Sequence, residues 1–254
     1  MTHSVTGIRP EASGTAGGRA LVIAVDGPSG SGKSSAARGT ATALGLRYLD
    51  TGAMYRAVTW WMLEHEVDLA DAASVAGHSR DLSIEVSTNP AVQRVRVDGI
   101  DVTAAIRNRR VSNVVSLVAA VPEVRAQLIG EQQAIISDAA AAGGIVAEGR
   151  DIGTVVAPAA TVKVFLTASE QIRAERRAAE LAGRPAPGHA SQPAPARDAP
   201  GAEVTMAEQA QRDRRDAPQS QMAADAIEID ATNLGLDDVI ARIVSLVTAR
   251  QAGA

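Results

Sequence analysis

At 254 residues with 46% hydrophobic content, the chain is long enough for one large α/β domain or two small ones. A formal net charge of −4, with only two Trp, two Tyr and one Phe, argues against a polynucleotide ligand, which calls for a basic surface and stacking rings. The absence of cysteine excludes disulfides and thiolate metal sites, and His3, His65, His78 and His189 are scattered without ligand spacing.

Residues 1–19 are rich in Gly, Ser, Thr and Ala and lack the apolar centre of about 7 to 15 residues found in a secretory signal, so a disordered tail on a cytoplasmic protein is expected. No apolar stretch approaches the roughly 20 residues that span a bilayer, so no membrane partner is expected.

The first apolar run, residues 20–25, leads into Gly27-Pro28-Ser29-Gly30-Ser31-Gly32-Lys33-Ser34. Several backbone N–H groups can converge on phosphate oxygens only where side chains do not fill the concavity, which is what the glycines provide. Lys33 is then placed to neutralise the β- and γ-phosphates, and Ser34 to supply a hydroxyl to Mg²⁺, at the positive end of the following helix. That helix is predicted from Ala36, Ala37, Thr40, Ala41 and Leu44 on one face, and Gly45 stops it. A purine triphosphate is the expected ligand.

A second run at 46–49 precedes Asp50-Thr51-Gly52-Ala53-Met54-Tyr55-Arg56, which opens a helix with Met54, Val58, Trp61 and Met62 on its apolar face. Tyr55 and Arg56 lie off that face. A cation in a first helical turn opposes the macrodipole, so Arg56 is expected to meet an anion. Leu82, Ile84 and Val86, then Val95 and Val97, alternate with polar residues around a Ser87-Thr88-Asn89-Pro90 turn, and residues 97–102 can add a third short strand. This predicts an inserted antiparallel module. Arg125 opens a long helix with Val124, Leu128 and Ile135 facing inward.

Runs at 144–147, 161–166 and 226–230 complete an alternation of strands and helices, the pattern of a parallel sheet covered on both faces. Ligands of such sheets sit beyond the carboxyl ends of the strands, where this chain places Asp26-Gly27, Asp50-Thr51-Gly52 and Glu148-Gly149-Arg150-Asp151. Arg173, Arg176 and Arg177 precede a proline-rich stretch at 182–203, and Arg212, Arg214, Arg215 and Asp216 follow it. Arginines on two helices flanking a mobile loop are what a lid closing over a phosphoryl group needs.

These residues resemble the bacterial-type cytidylate kinases, P-loop nucleoside monophosphate kinases. The resemblance runs from about Ala20 to the final helix and is carried by Asp26 to Ser35, Leu49 to Arg56 and Glu148 to Val156. It implies a three-layer P-loop kinase fold with a five-stranded parallel sheet, a small inserted antiparallel sheet and a helical lid. The single domain of residues 20–254 then divides into a core (20–66, 103–168 and 217–250), a monophosphate-binding insert (67–102) and a lid (169–216).

The implied reaction is phosphorylation of CMP and dCMP by Mg²⁺·ATP, by a monomer without nucleic-acid partners. ATP would be held by Gly27, Pro28, Ser29, Gly30, Ser31, Gly32, Lys33, Ser34 and Ser35. By the same resemblance Thr51, Arg125 and Asp151 recognise cytosine, Tyr55 lines the pocket, and Arg56 and Arg150 hold the CMP phosphate. Arg212 reaches phosphate, Asp216 reaches ribose and Ser116 lies near the sugar. Lys33, Arg150 and Arg212 are the expected catalytic cations, with Arg173 and Arg177 on the lid.

Two departures stand out: Ala217-Pro218-Gln219-Ser220-Gln221 lacks an arginine common in the family, and the 182–203 stretch is expanded. Read from the residues alone, UMP, AMP or shikimate remain alternative acceptors. A GTP-dependent switch is the rival from another class, but none of Asn89, Asn108, Asn113 or Asn233 is followed by the lysine of a guanine-reading motif.

Overall fold

The structure is a computed structural model that describes residues 21–181, 207, 210, 211 and 213–253. The expected tail at 1–19, the proline-rich stretch at 182–203 and Arg212 lie outside the described residues. Among the described residues no helix is long and apolar enough to cross a membrane.

Each of the five apolar runs forms a strand: β1 (Val22–Asp26), β2 (Arg47–Asp50), β6 (Ile145–Gly149), β7 (Val162–Thr167) and β8 (Ile227–Asp230). They assemble in the order β2-β6-β1-β7-β8, every pairing parallel. Alternation along a strand sends neighbours to opposite faces. Ile23 and Val25 of β1 accordingly pack with Ala36, Ala37 and Ala41 of α1 (Lys33–Leu44) and Val239, Ile243 and Val247 of α7 (Leu236–Ala252). Ala24 faces the other way, toward Met54, Val58 and Met62 of α2 (Thr51–Glu64) and Leu128 and Ile136 of α5 (Pro122–Ala141). Both faces are covered, as continuous apolar strands require.

Between α2 and α4 (Arg109–Ala119) the chain forms α3 (Ala72–Ser79) and an antiparallel sheet of β3 (Ile84–Val86), β4 (Val95–Val97) and β5 (Ile100–Asp101). Positive φ at Asp98 and Gly99 gives the tight turn that pairs Val97 with Ile100. The insert thus carries the third strand expected at 97–102. The helix α3 was not anticipated; Asp71 caps it by accepting from the N–H groups of Ala73 and Ser74.

Two local expectations are corrected and one is refined. Ile136 is the residue of α5 that is buried, with Ile135 only partly covered, because α5 presents positions 128, 132, 136 and 139 to the core. Trp61 does pack against the core beside Met54, Val58 and Met62, half-buried, and it also stacks on His65 with ring centroids 3.7 Å apart. Arg56 is not in the first turn of its helix, since Asp50 is the N-cap and α2 begins at Thr51.

Gly27 leaves β1 with φ +151°, and a Cβ there would sit 2.2 Å from the Leu166 carbonyl oxygen of β7. Gly27→Ala therefore combines backbone strain with overpacking against main chain that cannot yield. It should lower unfolding free energy by about 3 kcal/mol. Denaturant titration checks this; an unchanged midpoint would show that the loop tolerates a side chain.

Candidate functional site

At the carboxyl end of β1 the loop from Gly27 to Gly32 turns through positive φ at Gly27, Gly30 and Gly32. The N-cap of α1 is Gly32, so no side chain caps the first helical N–H groups. Those donors face the position an anion would take. The loop is braced from α6 (Glu170–Leu181): Arg173 donates to the Ser29 carbonyl at 3.1 Å, and Arg176 donates to the carbonyls of Ser31 at 3.2 Å and Ala231 at 2.9 Å. Lys33 Nζ donates to the Pro28 carbonyl at 3.4 Å, and Ser34 Oγ donates to Glu148 Oε2 at 2.9 Å.

The ends of β2 and β6, with α2, α4 and α5, supply the opposite wall. Thr51 Oγ1 donates to the Glu148 carbonyl at 2.7 Å, tying the start of α2 to β6. Arg125 donates to Asp151 Oδ2 at 2.5 Å and to Gln219 Oε1 at 3.0 Å. Arg150 donates to the Gly27 carbonyl at 2.6 Å and pairs with Asp216 at 3.0 Å; Asp216 also accepts from Ser116 Oγ at 2.8 Å. Arg56 and Arg177 both donate to Ser112 Oγ, at 2.8 and 3.1 Å.

One cavity joins the two walls. Ser29, Gly30, Lys33 and Ser34 line one side, and Thr51, Tyr55, Arg56, Ser116, Arg125, Arg150, Asp151, Arg177 and Asp216 line the other. Asp50, Arg107, Glu148 and Gln219 are also in its wall.

Burial sets the charges. Lys33 is pushed below the usual lysine range by burial and then by Arg150, against the pull of Glu148 and Asp50. Glu148 is pushed up by burial and by Asp50, against the pull of Lys33 and its bonds from Tyr48 and Ser34. An anion in the loop would favour the charged lysine. Tyr48, which donates to Glu148 Oε1 at 2.6 Å, is held well above the usual phenol range by burial and then by that carboxylate.

Asp26 accepts from the N–H groups of Ile152 at 2.8 Å and Gly153 at 2.7 Å, fastening the π-helical turn Ile152–Val156 that follows Asp151. Burial is the main cause that raises its pKa from 3.8 to about 6; Asp151 adds to this, while the two N–H groups and Lys33 oppose it. A folded-state pKa above the unfolded value means the folded protein holds the extra proton. The stability Asp26 contributes is therefore full below about pH 4 and is lost as pH rises through about 6. In Asp26→Asn that fall, on the order of 2 kcal/mol, should vanish from the stability–pH curve. Parallel curves for the two proteins between pH 4 and 7 would contradict it.

The donors present fit a triphosphate with a hard divalent cation. Ser34 and Glu148 offer oxygen atoms beside Lys33, and no group of three or more acidic, His or Cys residues among the described residues could bind a metal unaided. A cation here would share its ligands with the phosphates.

The family model for cytidylate kinase matches residues 23–249. The chain belongs to the cytidylate kinase family. Relatives in that family include the cytidylate kinases of Streptomyces coelicolor, 46% identical over 92% of this chain and 95% of the relative, and Streptomyces griseus, 44% identical over the same shares. A bifunctional pantoate ligase/cytidylate kinase of Thermosynechococcus vestitus is 45% identical over 91% of this chain but only 44% of its own length, so the likeness is confined to part of that longer protein.

In this cytidylate-kinase chain the cleft gathers every acceptor-side residue named from the sequence except Arg212, which lies outside the described residues. The two lid arginines separate: Arg177 lines the cleft, whereas Arg173 is buried against the Ser29 carbonyl and Asp213. Glu148, Asp50, Arg107, Gln219 and Ser112 carried no role in the sequence reading. Glu148 was visible as an acidic residue ending a buried strand. Ser112 had a fainter signal, its place one turn before Ser116.

Proposed function

We propose that this chain transfers the γ-phosphoryl group of ATP to CMP and dCMP, releasing ADP with CDP or dCDP. The observation that carries the reading is the Arg125–Asp151 pair, at 2.5 Å, in the same cavity as Lys33 and Arg150. Cytosine presents a donor at its 4-amino group beside an acceptor at N3, which suits a carboxylate beside a guanidinium. Uracil reverses that order, so each mismatched buried group would cost about 1–3 kcal/mol.

In the reaction an oxygen of the acceptor monophosphate attacks the γ-phosphorus in line, and the bond to the β–γ bridging oxygen breaks as ADP leaves. The attacking oxygen is already anionic, so no general base is required. Catalysis is then positioning and charge neutralisation. Arg56 and Arg150 hold the acceptor phosphate, Lys33 takes charge on the donor phosphates, and Arg177 and Arg212 act from the lid. Asp216 and Ser116 meet the sugar, and Thr51 and Tyr55 border the base. Ser34 would hold Mg²⁺, which would supply further charge neutralisation on the donor phosphates. The enzyme acts as a monomer in the cytoplasm.

Incubation with Mg²⁺·ATP and CMP, followed by chromatography, should yield ADP and CDP in equal amounts, with little ADP when CMP is omitted. ADP release without CDP would overturn the reading.

A further inference from the structure

The helix α4 carries two serines one turn apart, Ser112 and Ser116, and the i, i+4 spacing puts both on the face that borders the cleft. Ser116 reaches Arg150 through Asp216. Ser112 does something different: its single hydroxyl accepts from Arg56 Nη1 of α2 at 2.8 Å and from Arg177 Nη2 of α6 at 3.1 Å. Ser112 is only 2% exposed and is not part of the cavity wall, whereas both arginines are.

We propose that Ser112 is a positioning residue for phosphoryl transfer, whose hydroxyl holds one arginine of the core and one of the lid helix so that both address the same phosphoryl group. The proposal rests on the kinase reading above and deepens it. A hydroxyl oxygen has two acceptor lone pairs, enough for one N–H from each guanidinium and no more. Both guanidiniums also line the cavity, so the one hydroxyl fixes where two cations stand relative to a bound phosphoryl group. The same hydroxyl also links the position of α6 to that of Arg56, so that placement of the lid helix and grip on the acceptor phosphate change together.

The test compares wild type with Ser112→Ala and Ser112→Thr, and adds Arg177→Ala with and without Ser112→Ala. Ser112→Ala should lower kcat/KM for CMP about tenfold or more, as expected when hydrogen bonds to charged groups are lost. KM for ATP and the unfolding midpoint should stay close to wild type, and Ser112→Thr, which keeps the hydroxyl, should recover most of the loss. In the Arg177→Ala background the same substitution should cost clearly less, because half of what Ser112 holds is gone. Equal cost in both backgrounds, or a loss matched by a falling unfolding midpoint and not recovered by threonine, would make Ser112 a packing residue and overturn the proposal.

Calorimetric titration with CMP, the donor loop saturated by a non-hydrolysable ATP analogue, separates this outcome from failure of the kinase reading. Wild-type protein that binds CMP more tightly than Ser112→Ala but transfers no phosphoryl group would sink the reaction and leave the arginine cluster standing. Equal CMP binding by the two proteins would sink the cluster whatever the turnover.

Discussion

Lys33→Ala should lower turnover at least about 10²-fold while leaving KM for the acceptor nearly unchanged, the pattern of a charge that acts on the transferring group. Lys33 leaves the loop at the first position of α1 and points toward the side of the cleft where Arg150, Glu148 and Asp50 influence its charge. Burial lowers its pKa from 10.5 to about 8, which still leaves the ammonium form dominant at neutral pH. A bound triphosphate would favour that charged form further. Arg150 is held apart from Lys33 by its own bonds to Asp216 and the Gly27 carbonyl, and does not take over the lysine's position. Turnover within a few-fold of wild type would refute the role.

Asp151→Asn is expected to act on discrimination more than on chemistry. The carboxylate can only accept, whereas an amide presents either a donor or an acceptor, so the variant can face uracil as readily as cytosine. The ratio of kcat/KM for CMP to that for UMP should fall by about tenfold or more. Arg125 keeps its bond to Gln219 in this variant, which limits the disturbance to one side of the pair. Matched losses for CMP and UMP, accompanied by a lower unfolding midpoint, would instead assign Asp151 to holding the turn after β6.

The residues that were legible in the sequence are those whose signal is local. Alternating and continuous apolar runs marked all the strands of the parallel sheet, and the run at 97–102 marked the third strand of the insert. The P-loop announced itself because glycines, a lysine and a serine must stand at fixed offsets between a strand and a helix. What remained hidden depends on contacts between distant parts of the chain. Ser34 meets Glu148 across 114 residues, and Arg177 meets Ser112 across 65. Ser34 and Glu148 each stood in a legible local motif, but neither pairing carries a pattern that a short window reveals.

Helix phase was legible only to within a residue: Ile136 is buried in the core, and Ile135 packs against it only partly covered. The expectation that Arg56 meets an anion was argued from the wrong turn of its helix; in the structure its guanidinium donates to the Ser112 hydroxyl, beside Arg177. The acceptor pocket was named largely through family resemblance. Its physical logic became visible only when Arg125, Asp151 and Gln219 came together from three elements.

The measurement that bears most directly on the account is kcat/KM for ADP release with Mg²⁺·ATP and each of CMP, dCMP, UMP, AMP and shikimate. The geometry of Arg125, Asp151 and Arg150 predicts that CMP and dCMP exceed the other acceptors by at least about tenfold, the effect of one mismatched buried hydrogen bond. Preference for UMP, AMP or shikimate would contradict the cytosine assignment, and acceptor-independent turnover would contradict the kinase itself.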